Sequence, residues 1–178
     1  MNGNATHFAE RAGELRRDFD AGFADPIRVD AIAKQELLAI RIAGAPYAIR
    51  LSEISGLFAD KKVTRVPGGH AALRGIAGFR GALIPVYDLA RLLGQPDAEA
   101  PRWLVIAAAA PVALAFQQFE GQLRAAPDEI LPQAGRADTA AYARDVVRTA
   151  DFVGPIMHVP SVLDAIKASR TRGAPAEE

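Results

Sequence analysis

The sequence predicts an all-β fold, two small β-barrels side by side, with a helical extension before them and a short helix at the C-terminal end. Three observations carry that expectation. From Glu36 onward, short apolar runs bounded by Gly and Pro recur at spacings near ten residues, the texture of small barrels rather than of one sandwich. A stretch without strong apolar residues, Pro96 to Pro101, splits these runs into two sets. The segment before Glu36 and the stretch after Ser161 instead repeat at the helical period.

The elements follow in chain order. Phe8, Ala12, Leu15 and Phe19 recur at steps of four, three and four, one face of an amphipathic helix that Asn4 or Thr6 can cap and Gly22 can end. Asp25-Pro26 breaks that pattern. Leu37 to Ile42 reads as a strand, Gly44-Ala45-Pro46 as a turn, and Tyr47, Ile49 and Leu51 as alternating positions of the returning strand. Ile54 to Phe58 and Val63 to Val66 are further strands, the second closed by Pro67-Gly68-Gly69. Arg74 to Phe79 and Ala82 to Tyr87 form a hairpin around Arg80-Gly81. Asp88 caps a brief helix through Leu93 that Gly94 stops.

Beyond the linker, Trp103 to Ala109, Val112 to Phe116 and Phe119 to Leu123 are strands. Gln133 to Arg144 is polar and alanine-rich, open to loop or weak helix. Val146 to Thr149 and Phe152 to Val159 make a last hairpin, and Ser161 caps a terminal helix with Val162, Leu163 and Ile166 on one face. The chain thus divides into a helical extension (1–35), a first barrel (36–95), a second barrel with the C-terminal helix (96–170) and a disordered tail (171–178). Of 178 residues, 37 are alanine, so the cores must rest on the Leu, Ile, Val and Phe positions.

Composition and motifs exclude more functions than they suggest. Lys and Arg balance Asp and Glu at 21 each, which disfavours a nucleic-acid binder or a polybasic membrane anchor. With no cysteine, disulfides, thiolate-held metals and thiol chemistry are absent. His7, His70 and His158 are scattered and form no metal-ligand spacing, and no serine sits in a Gly-x-Ser-x-Gly turn. No lysine follows a glycine as a phosphate-binding loop requires, and Gly75-x-x-Gly78-x-x-Gly81 lacks dinucleotide spacing. Lys61-Lys62 with Arg65 is the densest basic group; without interleaved aromatics it reads as a solvated turn. The expectation is a protein that binds rather than catalyses, without metal or cofactor. The N-terminus lacks a signal-peptide pattern and no run approaches 18 apolar residues, so it is expected in the cytoplasm with no membrane-inserted segment.

One segment places Gly and Pro at fixed points among apolar strands. It comprises Tyr47-Ala48-Ile49, Ile54, Val63-Thr64-Arg65-Val66-Pro67, Gly75-Ile76-Ala77-Gly78-Phe79-Arg80-Gly81 and Leu83-Ile84-Pro85-Val86-Tyr87-Asp88-Leu89. In order and spacing, Glu36 to Gly94 resembles the signature region of the CheW family, the adaptor domains of bacterial chemosensory arrays. The likeness is weaker from Trp103 to Ile166. It implies two five-stranded SH3-like barrels that couple a chemoreceptor's cytoplasmic helical tip to the regulatory domain of a CheA-type histidine kinase. By that resemblance the first barrel offers the kinase an apolar surface, while Ile54, Gly75 and Arg80 stand near a groove for the receptor helix. A helix in a groove needs apolar contact, close backbone approach and fixed polar groups, which these three residue types supply in turn. Ile54 is equally open to a core role, Phe79 and Tyr87 read as core aromatics, and Asp88 as a helix cap. Departures are Gly78-Phe79 for the family's Asn-Leu, Gly56 at an often charged position, and Phe116-Gln117-Gln118-Phe119 for Val-Asp-x-Val. The longer N-terminal extension resembles adaptors of pilus-linked or other non-flagellar systems. A small-barrel nucleic-acid binder is the alternative, disfavoured by neutral charge and only twelve aromatics.

The Phe8, Leu15 and Phe19 stripe is too apolar to stay in water on a helix too short to stand alone. It should dock on a barrel of its own chain or on a partner. If on its own chain, deleting residues 1–30 lowers the melting temperature; if on a partner, the deletion leaves stability intact and abolishes an association. A deletion that changes neither contradicts both.

Overall fold

The computed structural model describes residues 34–67, 70–95, 99–132 and 142–172. The helix expected in the first 35 residues and the tail from 173 lie outside them, as does most of the ambiguous stretch from Gln133. The fold is mostly β. Among the described residues, eleven strands lie in two sheets: β1 (Gln35–Ile42), β2 (Ala45–Arg50), β3 (Ile54–Ala59), β4 (Leu73–Phe79), β5 (Ala82–Asp88), β6 (Trp103–Ala107), β7 (Ala113–Phe116), β8 (Gln118–Ala125), β9 (Ile130–Pro132), β10 (Ala143–Arg148) and β11 (Val153–Met157). Helix α1 is Leu89–Leu92 and helix α2 is Val159–Arg172. Sheet one runs β8-β1-β2-β11-β10-β9, and sheet two runs β3-β6-β7-β5-β4.

Sheet two is one continuous run of chain, from Ile54 to Phe116, inserted between β2 and β8 of sheet one. The Pro96–Pro101 linker therefore lies inside the run that builds sheet two, and the sheets do not part where the linker does. The chain crosses between sheets twice, and a polar side chain fastens each crossing. At the first, a 3-10 turn over Leu51–Glu53, the Glu53 carboxylate accepts the Val159 amide at the start of α2 (2.7 Å), and its carbonyl accepts Ala108 N–H (2.9 Å). At the second, buried Gln117 accepts from Ala43 N–H (3.0 Å) and donates to the Glu99 carbonyl (3.1 Å). Both ends of that amide are satisfied, as burial requires.

Three hydrophobic clusters follow from alternation along the strands. In β7, Leu114 and Phe116 join a cluster with Leu38, Ile40, Tyr47, Ile49 and Met157 of sheet one, while Ala113 and Ala115 face Phe79, Ile84 and Leu104. In β2, Tyr47 and Ile49 join the shared cluster, and Ala48 packs instead with Leu37, Val147 and Ile156. Val162, Leu163 and Ile166 of α2 complete the shared core. Helix α2 starts earlier than its sequence suggests: His158 Nδ1 accepts the Ser161 amide (3.3 Å) and lies 2.8 Å from its hydroxyl, so His158, not Ser161, occupies the capping position.

Both sheets curl. Strands β8 and β9 sit at opposite ends of sheet one, about 24 Å apart if six strands at about 4.8 Å spacing lay flat. Yet a short 3-10 turn, Pro127–Glu129, joins them, and five residue steps reach at most about 18 Å. In sheet two the end strands meet where Phe58 of β3 and Phe79 of β4 pack edge to face at 5.0 Å, with Lys61 over both rings. Sheet one has six strands rather than five because the three-residue edge strand β9 gives no alternation to read. The expected strand at Val63–Val66 reduces to one bridge, in which Thr64 and Ile76 exchange both backbone hydrogen bonds (2.8 and 2.9 Å).

That bridge exists because residue 75 is glycine. Gly75 has φ +143°, and a Cβ there would lie 2.0 Å from the Thr64 carbonyl oxygen. Gly75→Ala should destabilise by more than about 2 kcal/mol, combining backbone strain with the clash. Gly78, three residues on, has open space where a Cβ would go. Gly78→Ala should change stability by no more than about 0.5 kcal/mol. Denaturant unfolding of the two variants checks the contrast.

Candidate interaction site

The β4–β5 hairpin turns on Arg80 (φ +47°) and Gly81 (φ +86°), between paired Phe79 and Ala82. Two consecutive positive φ angles mark a type I′ turn, whose twist matches the strands it joins. Gly81 adopts that angle freely; Arg80 does so with a Cβ, at some cost. Arg80 is exposed and makes no hydrogen bond or ion pair among the described residues. Beside it stands Leu83, 73% exposed and paired across the hairpin with the bare backbone of Gly78. The turn thus carries an exposed guanidinium without a partner among the described residues and, three positions on, a largely uncovered leucine. The sequence singled out Arg80 and missed Leu83, because alternation alone does not tell which face of a hairpin is covered.

The other two singled-out residues lie elsewhere on sheet two. Ile54 opens β3, opposite Ala107 of β6, and is half-buried against the shared core. Gly75 is buried in β4, and the close approach it permits is made by the chain's own Thr64–Arg65 backbone. Strands β3 and β4 are the two ends of the sheet, and no hydrogen bond or ion pair links Ile54, Gly75 and Arg80. Gly56 leaves room for the Phe58 ring, which a Cβ at that position would meet at 2.8 Å.

Behind the hairpin the charges are ordered. Asp88, 4% exposed, caps α1 by accepting Ala90 N–H (3.0 Å) and holds Arg74 Nη1 at 2.9 Å. The carboxylate is buried while the Arg74 side chain stays partly exposed, so removing the arginine would leave a buried charge with one partner fewer. Asp60 takes Arg102 in a forked pair (3.0 and 3.1 Å), which raises the Arg102 guanidinium above its ordinary value through that hydrogen bond and its charge. Among the described residues no three His, Asp or Glu side chains gather as a metal-binding group, and no helix is long and apolar enough to cross a membrane.

Comparison with known proteins agrees with this architecture. The family model described as the CheW-like domain matches residues 36–167. The chemotaxis protein CheW of Bacillus subtilis (strain 168) is 31% identical over 65 residues, 36% of this chain and 42% of that protein. The match therefore spans less than half the length of that relative. The crystal structure of the scaffolding protein TtCheW from Thermoanaerobacter tengcongensis superposes with a TM-score of 0.63 at 18% identity, over 70% of this chain and 88% of that one. The structural likeness establishes the fold, and the family model covers most of the sequence from β1 into α2. This chain belongs to the CheW-like domain family.

Proposed function

We propose that the protein is a chemosensory adaptor that couples the cytoplasmic helical tip of a chemoreceptor to the regulatory domain of a CheA-type histidine kinase. It acts in the cytoplasm by binding alone, without catalysis or cofactor. Each curled sheet is an SH3-like barrel, supported by the short Pro127–Glu129 connection in one and by the Phe58–Phe79 contact in the other. The adaptor role rests on the single observation that the family model runs through residues 36–167. Ile54, Gly75 and Arg80 serve the receptor side, Gly75 indirectly, through the Thr64–Arg65 segment it holds in place. Leu83 supplies apolar surface for the kinase, supported by its exposure on a hairpin that needs no burial there.

Calorimetric titration with the regulatory domain of the CheA-type kinase from the same organism tests the role. Saturable binding at tens of micromolar or tighter is expected, and none would contradict the adaptor function. Arg80→Ala should weaken receptor or kinase binding by about 1–2 kcal/mol as an interface anchor. Its effect on stability should stay within about 0.5 kcal/mol, since Arg80 is exposed and unpaired among the described residues. A lowered melting temperature with unchanged binding would make Arg80 a structural residue instead.

A further inference from the structure

The chain is neutral as a whole, but its charge is segregated. Lys61, Lys62 and Arg65 on the β3–β4 connection, Arg74 on β4, Arg91 on α1 and Arg102 before β6 gather beside sheet two. Among the described residues, two carboxylates pair with them. Asp88 is spent on Ala90 N–H and Arg74, and both oxygens of Asp60 are taken by Arg102. Arg65 has no hydrogen bond or ion pair among the described residues, and Arg91 reaches only the Ala71 carbonyl (3.3 Å).

These side chains border an open cleft. One cavity of about 210 Å³ is lined by Arg65, Val66, Leu73, Arg74 and Arg91, with no acidic residue. A second, of about 440 Å³, shares Arg65 and Arg74 and continues over Val63 and Leu104 to Lys61 and to Arg102, whose partner Asp60 is its one acidic lining residue among the described residues. The Thr64–Ile76 bridge brings the walls together, because it sets Arg65 on one side and the β4 residue Arg74 on the other. Like charges held this close repel unless an anion answers them. The fold does not require Arg65 or Arg91 to be cationic, as both are exposed.

We propose that this cleft binds a carboxylate-rich segment of a partner protein. Its cations are spread along two adjoining cavities rather than converged on one point, as a single phosphate would need. The apolar side chains Val66, Leu73, Val63 and Leu104 interrupt them, which suits a segment that mixes acidic and apolar residues. Stacking of nucleic-acid bases is not provided for: Phe58 and Phe79 pack on each other under Lys61, and neither lines the cleft.

The test uses the full chain and a ten-residue peptide of glutamates and leucines, titrated at low salt with amide shifts as readout. Perturbations should centre on Arg65, Leu73, Arg74 and Arg91, and binding should weaken as salt rises. Arg65→Glu and Arg91→Glu should each weaken it by about fivefold or more, whereas Arg148→Glu on sheet one should leave it within about twofold. Shifts that avoid the cleft, equal loss with Arg148→Glu, or tighter binding of an eight-nucleotide uridylate would each overturn the proposal. So would saturation by inorganic phosphate alone with no response to the peptide. Because the probe is synthetic, its failure leaves the kinase and receptor role untouched.

Discussion

The structure depends on central strands that are buried on both faces. In β2, β6, β7 and β11, successive side chains enter different cores, one shared between the sheets and one enclosed by each curled sheet. Large residues, among them Tyr47, Ile49, Leu114, Phe116 and Met157, fill the shared core. The enclosed cores are narrower, and Ala48, Ala77, Ala113, Ala115 and Ala125 are buried there. Close packing leaves no slack for exchange: a larger side chain inside a small curled sheet must push strands apart, and a smaller one between the sheets leaves a void.

The same economy fixes the exposed face. Two sheets joined only at Leu51–Glu53 and Gln117 hold their relation through the shared core and two satisfied polar side chains. With both broad surfaces of the central strands occupied, the exposed positions among the described residues include hairpin tips, sheet ends and connections. The Arg80–Gly81 turn and the Thr64–Arg65 segment are such places, each stiffened by backbone geometry that tolerates little variation. A contact group held on a rigid support loses less freedom on binding than one on a mobile loop.

Much of this was legible in the residues. The β4–β5 hairpin, the Asp88 cap and the Gly94 stop follow from local chemistry that tertiary context does not override. The six strands from β1 to β6 begin within two residues of their expected positions because apolar runs bounded by turn residues mark them. What was not legible is non-local. Nothing in Pro96–Pro101 tells that it lies within the run forming sheet two, since a polar linker and a polar loop have the same composition. Leu51 continues an alternating pattern yet turns into a 3-10 helix, because the chain must leave sheet one there. Arg80 was singled out from its glycine neighbours, and it stands exposed on the turn between Phe79 and Ala82. The pairing of Arg74 with Asp88 joins residues fourteen apart and needs the β4–β5 register to be seen.

On the adaptor role proposed above, the exposed Leu83 face of the β4–β5 hairpin meets the kinase. Amide shift mapping of the labelled protein with the regulatory domain of a CheA-type kinase tests it most directly. Saturable shifts are expected to centre on Leu83 and its cross-strand partner Gly78, with the strands of sheet one undisturbed. Shifts confined to β9, β10 and β11, or none at saturating kinase, would contradict it.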